Sequence, residues 1–289
     1  MKLPRTRARL ERAELHHREF GRIWNGFLTG GEALALDDSR VLEAAAIQHE
    51  PYVPRVTVYP NGEGVIEVEP VDFPGDELAL ELGEFLYQLR AALDSLVYDT
   101  AIVVSGQDPP PNAEKLEFPI RASETGFKNA AAKIAPLADH HRIWIEDIQP
   151  YRAEYETEGM EFSAKALEAI NDLARKDRHR GLHVVASWGA NKNPQFDLPP
   201  GCSLEWVLVT DDGMLERESE IARFKIRNWA PGLEIHANPN FTIDVAVEDL
   251  PPPADDEDTL LTRTRGWYVV VKLLVEGFEN SLDGDPRSL

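Results

Sequence analysis

Two short stretches hold the residue types that general acid and base chemistry needs. The first is "LGEFLYQLRAALDSLVYD", in which Arg90 and Asp94 stand four residues apart and Ser95 follows directly. On a helix that spacing puts guanidinium and carboxylate on one face. The second is "LARKDRHRGLHVV", residues 173–185, the densest collection of basic and imidazole groups in a chain of formal net charge -21. Its Asp177, Arg178, His179 and Arg180 could serve a reaction at a phosphate: an imidazole moves the proton, and guanidinium groups balance the charge of a phosphorane. The same residues also satisfy the rules for ending a helix. Cations suit the carbonyl end of the helix dipole, and Gly181 is a fitting stop. Asp177 is the exception, because the dipole disfavours an acid there; a structural anchor for Arg90 or Arg180 is the expectation.

Other candidates carry weaker signals. Gln149, Pro150 and Tyr151 read as a turn whose tyrosine packs or meets a substrate. "ADHHRIWIED" places His140 and His141 side by side, but neighbours on a helix point about 100° apart, and the two are expected to be solvated rather than metal-bound. Trp188, Trp206 and Trp229 fall among predicted strands, where core or sheet surface is expected rather than a base-stacking platform. With no HExxH, P-loop, dinucleotide fingerprint or GxSxG pattern, neither metal nor cofactor is expected.

The elements that must position these groups follow from apolar periodicity. Residues 5–28 predict an amphipathic helix that buries Leu10, Phe20, Ile23, Trp24 and Phe27, and a shorter helix is expected from Ser39 to His49. "RVTVYPNGEGVIEVEP" predicts a β-hairpin over 55–69. From Asp76 to about Val104, Leu78, Leu82, Phe85, Leu86, Leu89, Leu93, Leu96 and Val97 make one broad apolar face. Three successive prolines force the segment after it into loop. A helical stretch at 123–147 and a helix at 160–179, with Phe162, Ala166, Leu167, Ile170, Leu173 and Ala174 inward, come next. "LHVVASW", "LEWVLVT", "IARFKIRNW" and "FTIDVAVED" then predict an antiparallel meander, and a final helix is expected from near 260, with strand as the alternative for its β-branched "YVVV". The fold class is α+β: a mainly helical region 1–181 with the hairpin inserted, and a mainly β region 182–289 ending in a helix. One integrated domain is the alternative.

Composition narrows the partners. Fifty-one acids against 30 Lys and Arg repel polyanions at long range, although a local basic groove is compatible with them. The cations of residues 1–22 and the acidic tract "PPPADDEDTL" are expected to be separately solvated surfaces. Cys202 is the sole cysteine, so neither an intrachain disulfide nor a thiolate metal cage is available. The charged first fifteen residues and the lack of any run near 20 apolar residues predict a soluble, cytoplasmic protein with no membrane association.

The ordered blocks "LRAALDSL", "FPI", "IQPY" and "LARKDRHR" resemble a group of uncharacterised bacterial and phage-associated proteins, in which an LRxALDHL helix precedes FPI, QPY and DKHR blocks. The resemblance covers residues 76–185. The arginine helix is also similar to the Arg-x4-6-His signature of HEPN domains, helical modules that often act as metal-independent endoribonucleases and often dimerise. That resemblance implies RNA as partner and Arg90 in the arginine role. Ser95 stands where the signature has histidine, and serine cannot shuttle a proton near neutral pH. Arg12/His17 and Arg178/His183 share the spacing, but Gly181 interrupts the second match. His179 would then have to face Arg90 across a cleft. Two readings follow: an RNA-directed protein with Arg90, His179 and Arg180 catalytic and Asp94, Ser95, Asp177, Arg178, Gln149 and Tyr151 in support, or a non-enzymatic protein-interaction scaffold built around the same network. A homodimer suits either.

Overall fold

The computed structural model describes residues 2–30, 51–152, 155, 157–188, 193–210, 213–215, 219–238, 243–248, 250–251 and 258–282. The helix expected at 39–49 and residues 252–257 of the acidic tract lie outside them. The fold is α+β, with most helices early in the chain and an antiparallel strand region late in it. Two compact units divide the chain, one drawn from Met1–Glu19, Leu80–Leu182 and Arg263–Leu289, the other from Phe20–Ala79 and His183–Thr262. No helix among the described residues is long and apolar enough to cross a membrane.

The first unit is helical. It takes residues from α1 (Pro4–Thr29), α2 (Gly75–Ser105), α3 (Glu124–Ala130), α4 (Asp139–Asp147), α5 (Glu158–Arg180) and α6 (Leu260–Leu282). Every residue named for the apolar face of α2 is buried, as its three-and-four spacing requires. The single helical stretch expected at 123–147 is broken, because Pro136 cannot donate to a helical ladder; α3 ends in a 3-10 turn at Ala131–Lys133 and α4 restarts at Asp139. On α5, Phe162 is 50 % exposed rather than inward, and its ring lies over Gly266 of α6, where even a methyl group would meet it at 2.8 Å. Thr157 Oγ1 accepts from Met160 N at 3.2 Å to start α5.

Some of the cations of α1 are docked on neighbouring helices, while Arg12, Arg18 and Arg22 are exposed. Arg5 donates to Asp99, Arg9 to Gln88, and His16 pairs with Glu81, so residue numbers fall along α2 as they rise along α1. On the other side Arg7 pairs with Glu279, Glu14 accepts from Tyr268, and His17 meets Thr264, in the same antiparallel sense on α6. Part of the polar face that sequence assigns to water is therefore spent on two neighbouring helices, while Glu11, Arg12 and Arg18 stay exposed. Asp99, 1 % exposed, also accepts from Arg5 N at 3.0 Å and from Thr6 N and Oγ1, each at 3.1 Å. A carboxylate from α2 thus satisfies two of the orphan donors at the start of α1.

The second unit holds the strands. β1 (Tyr52–Val58) and β2 (Glu63–Pro70) form the expected hairpin, and a four-stranded sheet runs in the order β1-β2-β7-β5, with β5 at Ser203–Val209 and β7 at Ser219–Arg227. β3 (Val184–Trp188) pairs with β6 (Gly213–Leu215) and β9 (Ile243–Val247), and β4 (Gln195–Asp197) pairs with β8 (His236–Asn238). All of these pairings are antiparallel. Ile66, Val68, Ala186, Ile221, Ala222, Phe224 and Ile226 form the core of this unit.

Asp99→Ala removes an acceptor shared by four buried or half-buried donors. We expect it to lower unfolding stability by about 2–4 kcal/mol in urea titrations, with Asp99→Asn losing about half as much because one carbonyl oxygen remains.

Candidate functional site

The segment Glu117–Arg121, "EFPIR", enters the first unit as neither helix nor strand, with Phe118 and Ile120 buried. Backbone without a ladder partner must find side chains. Phe118 N donates to Asp94 Oδ1 at 2.9 Å, and Phe118 O accepts from Arg90 at 2.9 Å. Pro119 has no N–H; its carbonyl accepts from Gln149 Nε2 at 2.8 Å. Arg121 N donates to Gln149 Oε1 at 2.9 Å, and Gln149 Nε2 also donates to Ile145 O on α4 at 2.9 Å. Three side chains from α2 and the end of α4 hold this strap by its main chain.

Charge completes the clasp. Arg90, 11 % exposed at its side chain, pairs with Asp94 at 2.6 Å and Glu117 at 3.4 Å. Burial pushes the Glu117 carboxyl up, but Lys133, Arg121 and Arg90 outweigh it and hold the group below its ordinary range. Burial raises Asp94 against the opposing pull of Arg90 and the Phe118 amide. Gln149 is wholly buried. Tyr151 donates to Glu146 at 3.1 Å, and desolvation with that neighbouring carboxylate pushes its phenol up to about 12. Ser95 is half-buried beside this network and shares no hydrogen bond with Arg90 or Asp94.

The second cluster lies elsewhere. Asp177 packs on Gly83, where an added Cβ would stand 2.8 Å from each carboxylate oxygen. Gly83 lies two turns before Arg90, about 10 Å along the axis of α2. Desolvation and then Glu84 raise Asp177, offset by a hydrogen bond from the Leu182 amide. Gly181, at φ 72°, donates to Asp177 O at 3.0 Å. Asp177 therefore secures the C-terminal end of α5, and its partner is backbone instead of the Arg90 or Arg180 side chain expected for it. Arg178, His179 and Arg180 are exposed at the last turn, with Arg178 Nε donating to Ala174 O at 3.2 Å. The Arg90/His179 pairing that an acid–base reaction needs does not form: the polar partners of Arg90 are Asp94, Glu117 and Phe118.

The adjacent histidines also differ from expectation. His141 is 1 % exposed, stacks on Phe278 at 4.6 Å and meets Ser281 Oγ at 2.6 Å, while His140 is half-buried against it. They are packing groups, because Trp144 on the same helix and Phe278 from α6 offer them aromatic faces. Burial, and next the adjoining His140, push His141 down to about 4. Among the described residues no group of three or more His, Cys, Asp or Glu could hold a metal ion.

Beside the clasp, an open cleft of about 610 Å³ lies between α3 and α4, lined by Phe127, Ile134 and Ile143 with Asp139, Arg142 and Glu146 at its rim. None of the residues named from sequence as catalytic lines it, and its only sequence signal is an exposed isoleucine on a short helix. Comparison with protein-family models, with curated proteins and with solved structures gives no match, so function rests on the chain's own geometry.

Gln149→Leu leaves Pro119 O and Arg121 N without partners and is expected to cost about 2–4 kcal/mol of stability, whereas Ser95→Ala should stay within about 0.5 kcal/mol; chemical denaturation of both variants checks the contrast. A pH series tests His141. Its folded value of about 4 lies below the ordinary 6.5, so the unfolded chain takes up the proton first. The stabilising effect is complete above about pH 6.5 and is lost as pH falls towards 4, by about 3 kcal/mol. His141→Phe should flatten that part of the profile relative to wild type; identical profiles would show that His141 is not buried in its neutral form.

Proposed function

We infer that this chain is a non-enzymatic protein-interaction protein of the cytoplasm whose Arg/Asp/Gln network is a fold-holding clasp. The observation that carries the reading is the use of Arg90: its guanidinium is directed at Asp94, Glu117 and the Phe118 carbonyl, leaving little exposed surface for a phosphate. A transition state needs donors aimed at developing charge, and these donors are aimed at the chain itself. The large acid excess favours protein partners over polyanions.

One observation favours an RNA-directed, HEPN-like reading with a phage or defence role: Arg175, Arg178, His179 and Arg180 are exposed together at the end of α5. There His179 would be the general acid and base for attack by a 2′-hydroxyl, and Arg180 would balance charge. Labelled single-stranded RNA, offered to the wild type and to His179→Ala at low and physiological salt, separates the two. The interaction reading expects neither cleavage nor binding that weakens steeply with salt. Cleavage abolished by His179→Ala would replace it with the RNA reading.

A further inference from the structure

The four-stranded sheet treats its two edges differently. β1 carries Pro54 and Arg55, both of which discourage further pairing. β5 has neither proline nor lysine; its sequence is SLEWVLV, its first six residues are exposed, and among the described residues it pairs only with β7. Leu208 is 63 % exposed and Trp206 40 %. A long apolar edge of this kind is a template for another strand. Its blunting features, Glu205 and the irregularity between Leu204 and Trp206, both precede Trp206–Val209, which is left as a regular uncharged run.

We propose that β5 pairs antiparallel with β5 of a second copy of this chain about a two-fold axis at Val207. The ladder fixes that register. Thr210 N donates to Ile221 O at 3.0 Å. Hydrogen-bonding direction alternates along an antiparallel strand, so Trp206 and Leu208 also bond to β7 while the N–H and C=O of Val207 and Val209 point outward. Val207 of each copy then exchanges both bonds with the other. Faces agree as well: Val207 and Val209 lie opposite Phe224 and Ala222 on the core side, and Trp206 and Leu208 lie opposite Lys225 and Arg223 on the outer side. A two-fold at Val207 sets Trp206 of one copy against Leu208 of the other, twice, an aromatic–aliphatic cross-strand pair.

Charge selects the occupant. β5 and β7 together carry Glu205 and Glu220 against Arg223, Lys225 and Arg227, a local balance of +1 in a chain of -21. Two copies meet here without bringing acidic surfaces together, whereas a basic peptide would face three cations beside the edge. Glu205 is already within 3.6 Å of Arg227, and the register sets no charged residue opposite a like charge. The remaining repulsion is long-ranged and screened by salt, so the dimer tightens as salt rises, opposite in sign to nucleic-acid binding. This inference rests on the interaction reading and names its first partner.

Sedimentation of the full chain across two decades of concentration tests it, with Leu208→Lys and Val207→Pro as variants. The proline removes an outward N–H that β7 does not use. We expect a wild-type dimer, strengthened by salt, and at least a tenfold weaker association in each variant with unchanged far-UV circular dichroism. In the wild type, amide exchange at Val207 and Val209 should slow as concentration rises, a readout that needs no variant. A monomer at every concentration, a dimer indifferent to both substitutions, or unchanged exchange at those two amides would overturn the pairing. RNA cleavage would instead overturn the interaction reading and leave the sedimentation result standing.

Discussion

A stretch of main chain that runs through a protein interior without a helix or sheet must have its polar groups met one by one. Residues 117–121 are in that position, and Arg90, Asp94 and Gln149 meet them. Each alternative is costly, since an unpaired buried amide or carbonyl loses about 1–3 kcal/mol. The clasp also ties α2 to the end of α4 through a segment that has no periodicity of its own. Proline at 119 fits because the position it occupies asks for a carbonyl and no N–H.

This constraint gives the four sequence blocks a common physical sense. The arginine helix supplies Arg90 and Asp94, "FPI" is the strap, and "QPY" supplies Gln149. "KDRHR" belongs to a separate device, in which Asp177 seats the end of α5 on Gly83 and holds the Leu182 amide. The positive groups around it complement the helix dipole. α1 is held by the same economy, its cations and histidines directed at Asp99, Gln88, Glu81 and Glu279.

Legibility in the sequence followed the physics of each feature. Helices and strands with long apolar periods were readable nearly to their ends, as α2 and the β1–β2 hairpin show, because burial of one face dictates the period. The break between α3 and α4 was less so, although Pro136 announces it. Tertiary pairing was hidden: nothing local links Arg90 to a carbonyl 28 residues away, or Asp99 to the start of α1. His141 looked solvated because its aromatic company, Phe278, arrives from the far end of the chain. The spacing of Arg90 and Asp94 places them on one helix face, where they pair, but the strap they hold is visible in sequence only as "FPI".

The central claim is that Arg90, Asp94 and Gln149 act on the protein's own main chain. Amide hydrogen exchange resolved at Phe118 and Arg121 tests it most directly. If the clasp holds, both amides exchange as slowly as those in the middle of α2, and Asp94→Ala releases Phe118 while Gln149→Leu releases Arg121. Exchange of both amides in the wild type at the rate of an exposed loop would contradict the account and return Arg90 to the list of groups available for chemistry.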